Sequence, residues 1–374
     1  MDDAADLHWM RRALTLAAQG VGHTSPNPAV GAVIVRDNQV LGEGFHRRAG
    51  LPHAEIEALD AARQAGHDPS GATIYVTLEP CCHQGRTGPC TQALIKAGIG
   101  RVVFAQADPN PLVAGRGQAE LVAAHIPTVA GLLADEARLL NAPFNKWIVT
   151  RRPFLTLKLA QSLDGRIARI KNERTAVTGP EANARTMALR ARHDLVLVGA
   201  NTARIDDPRL TVRDATGQPA ERQPRRGFID TSLSLVGLSL LASPGALVVT
   251  TVPLEDPRAR ALSDAGVTVV RVPQKDGRVD LAAALTALGA LPEPVTSVLV
   301  EGGGELAASL MAHGLVDRLV VLVAPRVFGA TGVPSFGPLD AVHELTLSSV
   351  ERVGADLELT FEPGPRTQDP HEGA

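Results

Sequence analysis

Cysteine is scarce in this chain of 374 residues, and the three that occur, Cys81, Cys82 and Cys90, lie close together. So tight a cluster cannot form a disulfide framework, and thiols grouped in this way are typical of metal binding. Aromatic residues make up only 3% of the chain, and the net charge is −3 with a pI of about 6.4. The chain therefore lacks both the stacking side chains and the basic footprint that nucleic-acid binding requires.

Long apolar stretches are also missing, since no run approaches the roughly 18 residues that span a membrane. The first residues include Asp2, Asp3 and Asp6, whereas a secretory signal begins with basic and then apolar residues. We therefore expect a cytoplasmic protein with no membrane partner. The hydrophobic content of 44% is enough for a sizeable core, and the length is consistent with two domains.

Three residues that are present suggest a metal site. His53, Cys81 and Cys90 offer one imidazole nitrogen and two thiolates, which are donors that zinc favours, and three ligands leave a fourth position for water. A proline precedes each of them, so each is predicted to lie at a helix N-terminus, where the dipole favours thiolate. The helix at His53 is predicted to run to about Gln64.

Glu55 follows His53 by two residues, and the two side chains can converge only at the start of a helix. Because Glu55 is not needed as a ligand, it is free to carry a proton between water and a substrate nitrogen. H-x-E followed by a proline–cysteine motif is the signature of zinc deaminases that act on cytosine or adenine rings. The alternative is a structural zinc with four protein ligands, in which Cys82 or His83 is the fourth. Without that role, Cys82 is a small packing residue.

The loop that carries the cysteines is longer than in that signature, because Cys90 follows Cys81 by nine residues. This loop resembles the riboflavin-pathway deaminase, which acts on a diaminopyrimidinone ribosyl phosphate and is often fused to a reductase. The family usually has Thr-Pro-Pro-Cys where this chain has Thr87-Gly88-Pro89-Cys90, and the ligand spacing is unchanged. The resemblance implies substrate contacts at Asn27, His46, Asp108 and Asn110. For His46, a purely structural role is an equal alternative.

The order of predicted elements indicates the fold class. A helix from Asp6 to Gln19 precedes a buried strand at 28–35, a turn at Asp37 and Asn38, a second strand, and then βα units as far as residue 130. This alternation predicts a three-layer α/β domain of the cytidine-deaminase-like fold. A charged run that ends at Pro153 predicts a boundary between domains 1–150 and 151–374.

The second domain is also predicted to be α/β. Lys158 lies in a predicted strand, and Glu301 ends another, which passes through Gly302, Gly303 and Gly304 into a helix. Glycines at a helix N-terminus let backbone N–H groups approach a phosphate, although a simple tight turn would also explain them. The stretch 217–226 is predicted to be an exposed loop, and the tail after residue 363 to be disordered.

With the segment 199–213, these motifs resemble the riboflavin-pathway reductase, a dihydrofolate-reductase-like domain, so that the resemblance covers nearly the whole chain. It implies an NADPH site at Ala160, Thr202, Asp206, Gly303, Gly304, Glu305, Leu306, Ala307, Ala308 and Ser309. It implies a ribosyl-phosphate site at Lys158, Arg190, Leu210, Arg213 and Glu301. Cations suit a phosphate and a carboxylate suits N–H donors. Asp206 and Asp207, which precede a proline, fit a turn or a helix cap as well.

One stretch departs from that family. Family members often have Ser-Lys-Trp or a similar run before Thr178-Gly179, where this chain has Arg174-Thr175-Ala176-Val177. The tryptophan normally packs on the nicotinamide side, and Ala176 cannot make that contact. Arg174 occupies a position that lines the substrate site in the family.

The resemblance in both domains implies a bifunctional enzyme of riboflavin biosynthesis. Its first reaction would be hydrolytic deamination of 2,5-diamino-6-(5-phosphoribosylamino)pyrimidin-4(3H)-one, and its second the NADPH-dependent reduction of the ribosyl group to ribityl phosphate. We expect one zinc ion per chain, NADPH, and a homo-oligomer. The alternative of another class is a nucleic-acid-editing zinc deaminase with an appended binding domain, and the composition argues against it.

Overall fold

The computed structural model describes residues 3–82, 88–111, 113–235 and 237–364. The chain divides into two compact units, Met1–Arg151 and Arg152–Ala374, and the boundary predicted after residue 150 lies one residue from this division. His83, the alternative zinc ligand, and residues 365–374 of the predicted disordered tail lie outside the described residues. Among the residues described, no helix combines the length and the apolar character needed to cross a membrane.

The first unit alternates helices and strands along the chain. Its helices are α1 (Asp3–Ala18), α2 (Ala54–Gln64), α3 (Cys90–Lys96), α4 (Arg116–Ala123), α5 (Ala134–Leu140) and α6 (Ala142–Thr150). Its strands are β1 (Gly31–Arg36), β2 (Gln39–Phe45), β3 (Thr73–Leu78), β4 (Arg101–Gln106) and β5 (Thr128–Ala130). The predicted turn between the first two strands is confirmed, since Asp37 and Asn38 both have positive φ, at 50° and 59°.

The five strands form one sheet in the order β2-β1-β3-β4-β5. Strand β1 is antiparallel to β2 and β3, whereas β3, β4 and β5 run parallel. Side chains alternate across β1: Ile34 packs with residues of α2, α3 and α4, and Val33 packs with residues of α1 and α5. Helices therefore cover both faces, which confirms the predicted three-layer arrangement.

Two glycines in β2 bring α2 very close to the sheet. A Cβ on Gly42 would lie 2.2 Å from the carbonyl oxygen of Ala58, and one on Gly44 would lie 2.5 Å from the Cβ of Glu57. No side chain fits at such distances, so the helix lies directly on the strand backbone. This close packing fixes the N-terminus of α2, which carries His53 and Glu55.

The second unit is larger and is built around a more extensive sheet. Its helices are α7 (Pro180–Ala191), α8 (Ala200–Asp206), α9 (Pro257–Asp264), α10 (Leu281–Gly289) and α11 (Gly304–Ala312). Its strands are β6 (Phe154–Ser162), β7 (Arg166–Ala168), β8 (Leu195–Gly199), β9 (Arg225–Ile229), β10 (Ala246–Thr250), β11 (Thr268–Arg271), β12 (Gln274–Lys275), β13 (Arg278–Val279), β14 (Ser297–Glu301), β15 (Arg318–Ala324), β16 (Val333–Pro334), β17 (Leu345–Val353) and β18 (Asp356–Pro363).

Nine of these strands form one sheet in the order β11-β10-β9-β8-β14-β6-β15-β18-β17. In this spatial order, all strands from β11 at the edge to β15 run parallel to one another. Strands β18 and β17 complete the sheet as an antiparallel hairpin. Buried apolar side chains cover both faces of the parallel part. The sequence prediction of an exposed loop through residue 226 is wrong at its end, because Arg226 belongs to β9 and is buried.

Each described hydrophobic cluster lies within one unit, which generates a prediction. Fragments 1–151 and 152–374, produced separately, should each fold cooperatively, because neither loses its own buried core. Circular dichroism with thermal melting measures this, and the expected deaminase activity should remain with the first fragment. Aggregation of both fragments under conditions in which the full chain is soluble would contradict the prediction.

Candidate functional site

Two of the three residues predicted to bind zinc lie where helices of the first unit begin, and the third follows a strand. His53 is the N-cap of α2, and Glu55 is the second residue of that helix, as the sequence predicted. Cys90 is the first residue of α3 and is completely buried. Cys81 is different: it lies in an irregular segment after β3, so its predicted position at a helix N-terminus is wrong. Its sulfur instead accepts the backbone N–H of Cys90, 3.5 Å away, at the start of α3.

The three donor atoms form a compact group. His53 Nδ1 lies 3.5 Å from Cys81 Sγ and 3.3 Å from Cys90 Sγ, and all three atoms are within 4.8 Å of one another. Nitrogen and sulfur ligands of one tetrahedral zinc ion are roughly 3.6 Å apart, given the usual bond lengths. The donor set and its spacing therefore fit zinc, with three protein ligands as in a catalytic site.

The electrostatics of the group favour a bound cation. Hydrogen bonds from the Cys90 thiol and from His53 lower the pKa of Cys81 to about 4, so that this sulfur is a thiolate. The hydrogen bond with Cys81 and the charge of Glu55 raise the pKa of His53 despite its burial. Burial and the adjacent Cys81 thiolate raise the pKa of Glu55 to about 7. Glu55 is thus a buried carboxyl group beside the metal ligands, with a pKa suited to gaining and losing a proton.

His46 lies next to the metal-binding histidine. Its Nδ1–H donates to the carbonyl oxygen of Pro52 at 3.0 Å, and its Nε2 accepts from the Asn27 side-chain amide at 3.1 Å. The ring also contacts the edge of His53, with the centroids 5.3 Å apart. Burial lowers the pKa of His46, which keeps it neutral. Two of the predicted substrate contacts, Asn27 and His46, are therefore joined to each other and to the metal-binding histidine.

A carboxylate that sequence reasoning missed lies two residues before Cys81. Glu79, only 3% exposed, accepts backbone N–H groups from Asp108, Gly115 and Gln118 at 3.2, 3.0 and 3.1 Å. Asp108 in turn accepts the N–H of Asn110 at 2.8 Å. The predicted contacts Asp108 and Asn110 thus lie in a segment tied to the residue that precedes Pro80-Cys81. In the sequence, the position of Glu79 directly before Pro80-Cys81 was the signal that could have identified it.

The second unit has its candidate site at the carboxyl ends of parallel strands. Glu301, at the end of β14, is in register with Lys158 on the neighbouring strand β6. Arg190 of α7 binds Glu301 through two hydrogen bonds, Nε to Oε1 at 2.5 Å and Nη2 to Oε2 at 2.9 Å. Its Nη1 donates to the carbonyl oxygen of Thr211 at 2.9 Å. The structure therefore brings together residues from three separate parts of the chain, as open α/β sheets do at this edge.

A cavity of about 640 Å³ opens above this ion pair. All five residues predicted to hold the ribosyl phosphate line it, namely Lys158, Arg190, Leu210, Arg213 and Glu301. Arg174 and Arg209 line it too, so the cavity is rich in cations. Arg209 was missed as a candidate, although it lies next to Leu210 in the sequence.

The charged side chains inside this cavity shift one another's pKa values. Burial raises the pKa of Glu301, but the charges of Arg190 and Lys158 and the Arg190 hydrogen bonds outweigh burial and lower it. Burial and the like charge of Arg190 lower the pKa of Lys158, and Glu301 partly offsets this effect. A buried carboxylate held by two cations is available to accept N–H groups from a ring.

Two of the residues predicted for NADPH, Thr202 and Gly303, lie close together on two neighbouring βα turns. Thr202 lies in the first turn of α8, and a Cβ on Gly303, the N-cap of α11, would lie 3.3 Å from its Oγ1. Strands β8 and β14, which lead into these helices, are adjacent and parallel. Two helix N-termini therefore meet at one edge, an arrangement that suits a pyrophosphate. Ala160 is half-buried on β6, and Asp206 is the last residue of α8.

The remaining residues of the glycine-rich segment face different directions. Glu305 is exposed and pairs with Arg278 at 3.3 Å, and Ala307 is completely buried in the core. Ala308 is buried, and Leu306 and Ser309 are partly buried. Successive side chains of a helix point in different directions around its axis. The structure therefore brings the start of α11, rather than the whole segment, next to Thr202.

Comparison with known proteins gives the class to which these two sites belong. Residues 3–106 match a family model described as the cytidine and deoxycytidylate deaminase zinc-binding region. Residues 153–359 match one described as the RibD C-terminal domain. The chain is thus a zinc deaminase joined to a RibD-type reductase domain, and both fold predictions are confirmed.

Individual relatives match nearly the whole chain, across both domains. The riboflavin biosynthesis protein RibD of Aquifex aeolicus (strain VF5) is 39% identical over 95% of this chain and 98% of its own length. RibD of Escherichia coli (strain K12) is 40% identical over 94% and 98%. The solved Acinetobacter baumannii RibD, form 1, superposes with a TM-score of 0.87 at 36% identity, covering 97% of this chain and 100% of that one. A Thermotoga maritima diaminohydroxyphosphoribosylaminopyrimidine deaminase/5-amino-6-(5-phosphoribosylamino)uracil reductase superposes with a TM-score of 0.85 at 31% identity, with the same coverage.

The chain belongs to the RibD family of riboflavin biosynthesis proteins. It is a bifunctional enzyme, a hydrolytic deaminase and a reductase, and its cofactors are zinc and NADPH. The alternative of a nucleic-acid-editing deaminase is not favoured.

The zinc group generates a prediction about Glu55. The variant Glu55→Gln should keep about one zinc ion per chain but lose deamination by a factor on the order of 10²–10⁴, because an amide cannot transfer the proton. Cys90→Ala should lose both zinc and deamination. Metal analysis together with a deamination assay measures this, and the reductase activity of the same chain shows that it is folded. Release of the metal by Glu55→Gln would make Glu55 a ligand and contradict the assignment.

Proposed function

We propose that residues 1–150 deaminate 2,5-diamino-6-(5-phosphoribosylamino)pyrimidin-4(3H)-one and that residues 151–374 reduce the ribosyl group of the product to ribityl phosphate. In the first reaction His53, Cys81 and Cys90 would hold zinc, and Glu55 would transfer the proton. The observation that carries this proposal is the group of three donors beside a buried Glu55. The name of the Thermotoga maritima relative supports the choice of substrate.

The deamination follows from the positions of these residues. When bound, zinc supplies a Lewis acid that makes a water molecule nucleophilic at neutral pH. Glu55 accepts a proton from water as the new C–O bond forms at the ring carbon that carries the amino group. It then returns the proton to the amino group, which leaves as ammonia. Asn27, His46, Asp108 and Asn110 would hold the substrate, and the hydrogen bonds around them fix their positions.

The reduction would use the cationic cavity. When bound, NADPH supplies a hydride for C1′ of the opened sugar. We propose that its phosphates lie near Thr202 and the start of α11, and that Ala160, Asp206 and the solvent-accessible residues of the segment from Gly303 to Ser309 line the rest of its site. Arg213 and Lys158 would bind the substrate phosphate and ribose, Glu301 would accept ring N–H groups, and Arg190 and Leu210 would complete the wall. These contacts orient the sugar carbon toward the nicotinamide.

We further propose that the chain forms a homo-oligomer and works in the cytoplasm. The outer strand β17 carries exposed Leu347 and Val350, which a contact between two copies would cover. Cys81 and Cys90 form no disulfide, which suits a reducing compartment. Light scattering on the purified chain measures the oligomeric state directly, and a monomer mass would contradict the first of these proposals.

The second unit generates a prediction that distinguishes a residue of the substrate site from a residue of the cofactor site. Glu301→Gln should impair reduction and leave NADPH affinity, zinc content and deamination near normal, because Glu301 faces the substrate cavity. Gly303→Val should instead weaken NADPH binding, because its side chain would crowd the Thr202 hydroxyl and the space for phosphate. The backbone of Gly303 has φ −73°, so crowding rather than the strain of a left-handed conformation is the expected cause.

Fluorescence titration of NADPH and turnover measured on both variants test this prediction. Asp276→Asn, a change on the turn between β12 and β13, is the matched control for loss of one charge in the same unit. Equal loss of NADPH affinity in Glu301→Gln and Gly303→Val would place Glu301 in the cofactor site or the fold, and the substrate assignment would be wrong.

A further inference from the structure

The deaminase unit contains a buried carboxylate that the mechanism does not use. Glu79 directly follows β3, two residues before Cys81, and is 3% exposed. It makes no ion pair with a cation within the described residues. Its hydrogen bonds go to backbone N–H groups: Oε2 accepts from Asp108 and Gly115, and Oε1 accepts from Gln118. A buried carboxylate is costly unless such bonds satisfy it, so this arrangement is specific.

All three donors belong to one segment, residues 108–110 and 113–118, here called the β4–α4 segment. It is also bonded within itself, because Asp108 Oδ1 accepts the N–H of Asn110, and the Asn110 carbonyl accepts the N–H groups of Val113 and Ala114 at 2.8 and 2.9 Å. The backbone position of Asn110 therefore depends on where Glu79 holds Asp108.

A second contact joins the same segment to the metal-binding loop. A Cβ on Gly117 would lie 2.1 Å from the carbonyl oxygen of Pro80, so the backbone of α4 lies directly on the residue before Cys81. On the next turn of α4, Glu120 accepts the Thr91 hydroxyl at 2.6 Å, and Thr91 follows Cys90. Helix α4 thus contacts the segment of Cys81 through Pro80 and is hydrogen-bonded to the segment of Cys90 through Thr91, and it directly follows the stretch that carries Asp108 and Asn110.

We propose that Glu79 is a positioning residue of the deaminase, which sets the β4–α4 segment, and with it Asp108 and Asn110, at a fixed place relative to the zinc ligands. Glu79 touches neither water nor substrate in this role and acts through the backbone N–H groups it accepts. The inference rests on the proposed function, in which Asp108 and Asn110 contact the pyrimidine ribosyl phosphate.

The test uses Glu79→Gln in the full-length, zinc-loaded chain. The amide has one acceptor oxygen and one NH₂ group, so at least one of the three backbone donors loses its acceptor and faces another donor. We expect the KM for deamination to rise about ten-fold while kcat changes less than about three-fold, since the substrate contacts are displaced but the proton-transfer group is not. Zinc content and reductase activity should stay at the wild-type level. Glu43→Gln, which removes a partly exposed carboxylate paired with Arg12, is the matched control and should leave KM unchanged.

A double-mutant cycle with Asn110→Ala separates positioning from a general loss of stability. Asn110→Ala should raise the KM in the wild-type background and add little in the Glu79→Gln background, because the contact is already displaced. Additive effects on KM would overturn the proposal, and so would loss of zinc or of reductase activity in Glu79→Gln, which would make Glu79 a requirement of the fold. An unchanged KM in Glu79→Gln, with Asn110→Ala impaired, would overturn it and leave the proposed function intact. If Asn110→Ala and Asp108→Ala both keep the wild-type KM, the substrate assignment itself is wrong.

Discussion

The deaminase unit depends on bringing one imidazole and two sulfurs into a group only a few ångströms across. The donors lie at the start of α2, after β3 and at the start of α3, so the group exists only when two helices and a strand end are held at one sheet edge. Gly42 and Gly44 let α2 lie directly on β2, and Gly117 lets α4 lie on Pro80. Close contacts between backbones thus hold the ligand-bearing segments in place. They must do so accurately, because the ligand positions of a metal site tolerate errors of only a fraction of an ångström.

The reductase unit depends on a different constraint: the charged side chains that it buries must be paired with one another. Glu301, Arg190 and Lys158 lie at the base of one cavity, and isolated burial of any of them would be costly. Two hydrogen bonds between Arg190 and Glu301 offset that cost and also keep the carboxylate ionised and directed. His193 below them remains neutral, since burial lowers its pKa to about 4, and it is hydrogen-bonded to Leu189 and Thr156. The polar base of the cavity is therefore fixed in position before a ligand arrives.

The sequence predictions succeeded where the signal was local. Helix α2 was placed by Pro52 and by apolar residues at helical spacing, and the β1–β2 turn by Asp37 and Asn38. They failed where structure is set by distant partners. The first two residues of strand β9, Arg225 and Arg226, were predicted to end a polar loop, because the pairing of β9 with β8 and β10 is not visible in its own composition. The β17–β18 hairpin was missed because its polar and half-exposed strands are ordered by pairing with β15.

The sequence by itself determined the chemistry of this protein: which residues can bind zinc, which carboxyl can carry a proton, and the order of elements that gives two α/β units. It did so because donor types, proline positions and apolar spacing are properties of short stretches. Only the tertiary structure decided which polar groups meet. Glu79 satisfies backbone donors about thirty to forty positions later, and Glu301 pairs with an arginine on a distant helix. Such partners are fixed by sheet order and by the need to satisfy every buried charge, and no local pattern records either.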